Sequence, residues 1–234
     1  MVPTSNFSDP TLLPALERET GDSPKASVIW LHGLGADGYD FEPIVEEFDL
    51  DQLPAIRFVF PHAPMRAVTI NGGYVMRAWY DIVSPDFAPG REETEGVRQS
   101  AKHVDALIAR EHERGIPYRR IVLAGFSQGG VIALHTGLRC PHRLAGIIAL
   151  SCYLPLADTL LDEAEKANHD LPIFMAHGYA DAVIPYKLGQ QSAERLAAHA
   201  YPVEWRSYDC DHSVPMDEVA DIESWLTRLL VETC

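Results

Sequence analysis

A single serine set among glycines is the feature of this chain that points most directly to chemistry. The apolar run Ile121–Phe126 leads into Ser127, and apolar residues resume at Val131. Gly125-Phe126-Ser127-Gln128-Gly129 fits the G-x-S-x-G nucleophile elbow, in which glycines remove Cβ atoms from a tight strand-to-helix turn. Such a turn exposes the Ser127 hydroxyl and leaves the Gln128 N–H at a helix start, where negative charge is favoured. Alone, the motif does not exclude an ordinary strand-helix junction.

Two further residues supply the partners that a nucleophilic serine needs. Asp181 and His212 each stand on a loop that follows a predicted strand, and with Ser127 they give the chain order Ser, Asp, His. An imidazole removes the serine proton, and a carboxylate sets the tautomer of the imidazole and stabilises its cation. Taken singly, Asp181 is more often a turn former, and His212 is one of ten histidines. Their order and loop positions together predict a catalytic triad of Ser127, Asp181 and His212.

The remaining polar residues near strand ends are assigned other roles. His32 and His177 both precede glycine at the end of a strand, and we expect them to be structural. A metal site built from Asp209, Asp211 and His212 is disfavoured, because adjacent side chains in a loop seldom converge without a more distant ligand. We therefore predict neither a metal nor an organic cofactor.

A glycine-rich loop after the first buried strand allows two interpretations. Gly33, Gly35 and Gly38 have the G-x-G-x-x-G spacing of dinucleotide-binding loops. That interpretation also needs an acidic residue at the end of the next strand, whereas Asp51 comes before the strand at 56–60. Because His32 opens the loop and a nucleophile elbow lies downstream, an oxyanion-binding loop is the favoured prediction.

Residues 61–90 combine prolines, a glycine pair and aromatic residues without helical periodicity. A segment of this length without a clear element is uncommon in a compact domain unless it serves a site. We expect a small cap that supplies apolar contacts to a substrate; the alternative is a surface hairpin that extends the sheet. The predicted substrate contacts are Ile70, Val75, Met76, Trp79 and, beside the predicted acid, Val183.

The elements that must position these residues alternate between strand and helix. Buried strands are predicted at 26–31, 56–60, 121–126, 144–151, 171–176 and 203–208. Helices are predicted at about 40–48, 92–115, 157–168 and 187–200, with two more directly after Ser127 and at the end of the chain. Residues 1–24 are predicted to form an arm or an edge strand. The βαβ order predicts one α/β domain over 1–234, with a mostly parallel central sheet and helices on both faces.

Composition restricts the partners and the compartment. The net charge of −15 argues against nucleic acid or an anionic membrane surface as the main partner. Four cysteines without a C-x-x-C pair suggest free thiols in a reducing compartment. No apolar stretch approaches the length of a membrane span, and the start of the chain does not resemble a signal peptide. These features predict a cytoplasmic protein without membrane insertion. They do not decide between a monomer and a homodimer.

Several stretches of the chain resemble those of a known family. The chain resembles the phospholipase/carboxylesterase family, which includes the acyl-protein thioesterases, and most of all its bacterial carboxylesterases. The matching stretches are Leu31–Gly35, Pro61–Gly73, Trp79–Ile82, Gly125–Gly130, His177 to Asp181, and His212. The resemblance implies an α/β-hydrolase fold with a minimal cap and an oxyanion hole formed by the backbone N–H groups of Leu34 and Gln128.

Motifs and resemblance together predict a serine carboxylesterase that hydrolyses short- to medium-chain esters through an acyl-enzyme. An acyl-protein thioesterase or a lysophospholipase is the alternative within the same chemistry. From a different class, a hydrolase-fold binding protein without turnover is disfavoured, because all three triad residue types are present. The predicted partner is a small-molecule ester.

Overall fold

The computed structural model describes residues 12–84 and 93–231. Within these residues the strands are, in chain order, β1 (Ala15–Glu19), β2 (Ala26–Leu31), β3 (Ile56–Pro61), β4 (Met65–Val68), β5 (Tyr74–Arg77), β6 (Ile121–Phe126), β7 (Gly146–Leu150), β8 (Ile173–Gly178) and β9 (Val203–Tyr208). The α-helices are α1 (Thr94–Glu113), α2 (Gln128–Arg139), α3 (Leu160–Glu163), α4 (Tyr186–Ala198) and α5 (Met216–Val231). Short 3-10 helices cover Glu42–Glu47, Leu50–Gln52, Thr69–Asn71, Tyr118–Arg120 and Lys166–Asn168.

The main sheet of the described chain has seven strands in the order β1-β3-β2-β6-β7-β8-β9. β1 pairs antiparallel with β3 at one edge, and every other neighbouring pair is parallel. β2, β3, β6, β7 and β8 are rich in buried apolar residues, as expected of strands covered on both faces. The predicted α/β-hydrolase class with a mostly parallel sheet is confirmed, and β1 is the predicted edge strand.

Apolar side chains form a core on each face of the sheet. One cluster includes Val104 and Leu107 from α1 with Val131 and Leu134 from α2. The other includes Ile222 from α5 with further helical and strand residues. Alternate residues of a strand point to opposite faces, so the continuous apolar runs supply both cores.

Two predicted elements differ from those in the structure. The helix expected at 40–48 is a 3-10 helix over Glu42–Glu47, with a proline in its first turn. The expected helix at 157–168 consists of the four-residue α3 and a separate 3-10 turn at Lys166–Asn168. Both segments are too short to gain much from cooperative α-helix formation. The first also leaves the glycine-rich loop without the α-helix that a dinucleotide site needs.

The segment after β3 forms a separate antiparallel hairpin. β4 and β5 pair only with each other among the described residues, and the 3-10 turn Thr69–Asn71 lies between them. The hairpin contacts the glycine-rich loop, because the Gly35 N–H donates to the Arg77 carbonyl at 2.9 Å. Because β4 and β5 form a separate two-stranded sheet, the hairpin does not extend the main sheet. Residues 85–90 of the predicted cap segment lie outside the described residues.

Candidate active site

Ser127 occupies a strained turn between β6 and α2. Its backbone has φ 55° and ψ −120°, a conformation that L-residues rarely adopt and that costs on the order of 1–3 kcal/mol. A Cβ on Gly125 would overlap the backbone of Gly129, and a Cβ on Gly129 would overlap the backbone of Leu31. The glycines of the motif are therefore required by close backbone contacts on both sides of the serine. The turn has the geometry of a nucleophile elbow.

Asp181 and His212 meet at the carboxyl ends of β8 and β9. The His212 Nδ1–H donates to Asp181 Oδ2 at 2.7 Å. The other oxygen, Asp181 Oδ1, accepts the backbone N–H groups of Val183 and Ile184, each at 2.8 Å. These bonds fix both the carboxylate and the tautomer of the imidazole, so that His212 Nε2 is the free basic atom.

His177 also contacts this carboxylate, a contact that sequence reasoning missed. Its Nε2 lies 3.1 Å from Asp181 Oδ2 and 2.9 Å from the Ile184 carbonyl oxygen. Both neighbours are acceptors, so the ring hydrogen lies on Nε2. The side chain is fully buried and packs near Trp205 and Tyr186. A histidine four residues before the acid was the available signal, but its position before glycine led to a purely structural assignment.

The hydrogen bonds of Asp181 decide its charge. Burial alone would raise its pKa, since a low-dielectric surrounding disfavours the anion. The hydrogen bonds from His177, His212 and the Ile184 N–H act in the opposite direction and prevail, so the pKa of Asp181 is lowered well below its ordinary value. Asp181 is therefore an anion wherever His212 would act as a base, and it can stabilise an imidazolium.

His212 lies beside the elbow. Its ring packs on the ring of Phe126, the residue before Ser127, with 4.6 Å between ring centroids. No hydrogen bond joins the Ser127 hydroxyl to His212 within the described residues. Bonds of this kind are often long until a substrate binds, so the observed geometry is compatible with a general base. The structure thus brings His212 to Asp181 directly and to the neighbourhood of Ser127.

The glycine-rich loop also lies against the serine. A Cβ on Gly33 would lie 3.5 Å from Ser127 Cβ, so the backbone next to Leu34 is close to the nucleophile. In the described part of the chain, neither the Leu34 N–H nor the Gln128 N–H has a hydrogen-bond partner. Two free N–H groups near the nucleophile, one from this loop and one from the residue after the serine, are what an oxyanion hole requires.

His32 holds this loop in place. Its Nε2 accepts the Ala63 N–H at 3.1 Å, so Nδ1 carries the hydrogen and donates to the Gly33 carbonyl at 2.7 Å. Burial lowers the pKa of His32 to about 4, so the ring is neutral near pH 7. Both ring nitrogens are occupied by backbone groups, in agreement with the structural role predicted for this residue.

The predicted substrate contacts have different surroundings. Ile70, Val75 and Val183 are exposed. Met76 is half-buried and lies beside Gly35: a Cβ on Gly35 would be 3.6 Å from the Met76 Sδ. Trp79 is fully buried and presents no surface to a ligand. Asp209 and Asp211 are exposed, and no three His, Cys, Asp or Glu side chains of residues 12–84 and 93–231 are grouped as metal ligands.

Comparison with known proteins adds an independent finding. The sequence profile of the phospholipase/carboxylesterase family matches residues 18–230. Acyl-protein thioesterase 1 of Neurospora crassa is 40% identical over 229 residues, which cover 94% of this chain and 91% of the relative. The structure of Zea mays acyl-protein thioesterase 2 superposes with a TM-score of 0.80 at 32% identity, covering 93% of this chain and 99% of that one. Arabidopsis thaliana SOBER1 has a TM-score of 0.83 at 32% identity, covering 88% and 99%.

Proposed function

Because the chain belongs to the phospholipase/carboxylesterase family and is a serine hydrolase, we propose that it cleaves acyl thioesters and carboxylic esters through a covalent acyl-enzyme. The observation that carries the proposal is the strained Ser127 turn, which lies near the His212–Asp181 pair and near the Leu34 and Gln128 N–H groups, neither of which has a partner in the described residues. Thioester cleavage is supported by three relatives at 36–40% identity, each of which is an acyl-protein thioesterase 1.

In the proposed reaction, the Ser127 hydroxyl attacks the acyl carbonyl while His212 Nε2 takes its proton. The Leu34 and Gln128 N–H groups stabilise the oxyanion, and Asp181 stabilises the imidazolium. His212 then returns the proton to the departing thiolate or alkoxide. A water molecule, activated by the same imidazole, hydrolyses the acyl-enzyme and regenerates Ser127.

We place the acyl chain along the β4–β5 hairpin. Ile70, Val75, Met76 and Val183 are the apolar side chains proposed to contact it, because three of them are exposed and Met76 lies beside the proposed oxyanion loop. A carboxylesterase acting mainly on oxygen esters is the second candidate, favoured by the family description. Cytoplasmic action is part of the proposal and fits the free thiols of Cys140, Cys152 and Cys210; within the described residues, no helix is both long and apolar enough to span a bilayer.

A fluorophosphonate probe tests the nucleophile. Wild-type protein should be labelled at Ser127, and Ser127→Ala should lose both labelling and turnover, because no other hydroxyl lies on the elbow. Labelling that persists in Ser127→Ala would contradict the assignment. Matched thioester and oxygen-ester substrates with one acyl chain then separate the two candidates: a higher kcat/KM for the thioester supports the thioesterase, and the reverse supports the carboxylesterase.

A further inference from the structure

Trp79 connects the two segments that carry the proposed oxyanion donors. Its indole Nε1–H donates to the His32 carbonyl oxygen at 2.8 Å, at the start of the loop that contains Leu34. Its backbone N–H donates to the side-chain Oε1 of Gln128 at 2.9 Å, and the backbone N–H of Gln128 is the second proposed donor. One residue is therefore bonded to both halves of the oxyanion hole.

The Gln128 side chain completes this connection. Its Nε2 donates to the Tyr80 carbonyl oxygen at 2.7 Å, so its amide bonds to both residues of the 79–80 pair. The Trp79 carbonyl in turn accepts the Ser100 hydroxyl of α1. Trp79, Gln128 and Ser100 are all buried, which strengthens these bonds and makes their loss costly.

We propose that Trp79 is a positioning residue that sets the separation of the Leu34 and Gln128 N–H groups. Oxyanion stabilisation depends on donors already held at the position where charge develops, and small displacements weaken it strongly. The Leu34 loop contains Gly33 and Gly35, and Gly35 has a φ of 78°, so its backbone needs external restraints. The inference rests on the proposed function and adds a role for a residue that does not touch the substrate.

A role in core packing alone does not account for these bonds. Trp30, on strand β2 two residues before His32, is buried to the same extent as Trp79. Yet the Trp30 Nε1 has no hydrogen-bond partner within the described residues. Burial of an indole in this protein therefore does not by itself produce a hydrogen bond to the loop that contains Leu34. Trp30 also offers a control in which the same change of side chain removes no hydrogen bond.

The test compares Trp79→Phe with Trp30→Phe. Trp79→Phe keeps an aromatic ring but loses the bond to His32, so we expect kcat to fall about 10- to 100-fold with KM nearly unchanged. The fall should be the same for acetyl, butyryl and octanoyl esters. Trp30→Phe should keep the wild-type kcat. A wild-type kcat in Trp79→Phe, or a loss that depends on acyl length with a raised KM, would overturn the proposal.

A second variant covers the case in which Trp79→Phe does not fold. Gln128→Met removes the side-chain bonds to Trp79 and Tyr80 but keeps the backbone N–H proposed as an oxyanion donor. It should lower kcat in the same way, and where both single variants fold, their effects should not add in the double variant. Full additivity, or no effect of Gln128→Met on kcat, overturns the proposal.

Fluorophosphonate labelling separates this inference from the proposed function. If wild-type protein is not labelled, the serine-hydrolase mechanism fails and the positioning role fails with it. If wild type is labelled and Trp79→Phe reacts at the wild-type rate, only the positioning role fails. We expect Trp79→Phe to reach complete labelling of Ser127 at a reduced rate.

Discussion

Asp181 and Glu218 are both buried carboxyl groups near the carboxyl end of the sheet, and their surroundings make one an anion and keep the other neutral at pH 7. Asp181 accepts the Val183 and Ile184 N–H groups and lies within bonding distance of His177 and His212. Glu218, in the first turn of α5, is fully buried, and neither oxygen has a hydrogen-bond partner in the described part of the chain. Burial is therefore common to both, and hydrogen-bond donors distinguish them.

The pKa values of the two groups follow this difference. Burial raises the pKa of Glu218 to about 8, with smaller contributions from the negative charges of Asp217 and Asp221. A carboxylate in the first turn of a helix is favoured by the dipole, but that effect is worth only about 0.3–1 kcal/mol, less than the cost of burying an unpaired charge. For Asp181 the donors outweigh burial and lower the pKa. Donors supplied by neighbouring loops thus determine which buried carboxyl stays ionised.

The largest expected effect comes from removing the charge of Asp181. Asp181→Asn should lower kcat on the order of 10⁴-fold, because an amide can donate to His212 and favour the wrong tautomer. Glu218→Gln is the matched carboxyl-to-amide control and should keep kcat near the wild-type value at pH 7. A loss below tenfold in Asp181→Asn would contradict the assignment of the acid.

The next effect concerns stability and pH. Because the folded-state pKa of Glu218 is raised, the folded protein binds this proton more tightly than the unfolded chain. Its contribution to stability therefore falls as pH rises from about 4.5 through about 8. Glu218→Gln cannot ionise, so relative to wild type it should gain stability with rising pH, on the order of 3 kcal/mol between pH 5 and pH 9. Urea unfolding at both pH values measures the difference.

One outcome would contradict this second prediction. A constant stability difference between Glu218→Gln and wild type from pH 5 to pH 9 would mean that the Glu218 carboxylate is hydrogen-bonded or hydrated in the folded protein.

Asp181 should show the opposite dependence on pH: its lowered pKa stabilises the fold above pH 4, and this contribution is lost as pH falls further. Asp181→Asn should accordingly be destabilised relative to wild type at pH 7.

The smallest effect is expected from an exposed carboxylate. Asp211 adjoins His212 in the chain but is exposed, so water and salt screen its charge. Asp211→Asn should therefore change kcat/KM at pH 7 and low salt by less than about twofold, because a screened interaction between exposed charges is weak. The difference between the two proteins should shrink further at high salt. A change of tenfold or more at low salt would show that the Asp211 charge acts on the site directly.

Local sequence patterns determined much of the framework of this protein. The predicted strands at 26–31 and 203–208 match β2 and β9 residue for residue, and the predicted helix at 92–115 encloses α1. The elbow was also predictable, because its glycines are required by contacts within a few residues of Ser127 and by one neighbouring strand. These features depend on hydrophobic periodicity and on backbone geometry, both of which are readable along the chain.

Tertiary structure alone decided which polar groups meet. His177 was predicted to be structural and lies against Asp181, whereas Trp79 was predicted to contact substrate and is buried between His32 and Gln128. The Trp79 bonds join residues 47 and 49 positions apart, and they form because β2 and β6 are neighbours in the sheet although far apart in the chain. Periodicity reports whether a side chain is buried. It carries no information on which distant carbonyl or amide that side chain will reach, since strand order and register set those distances.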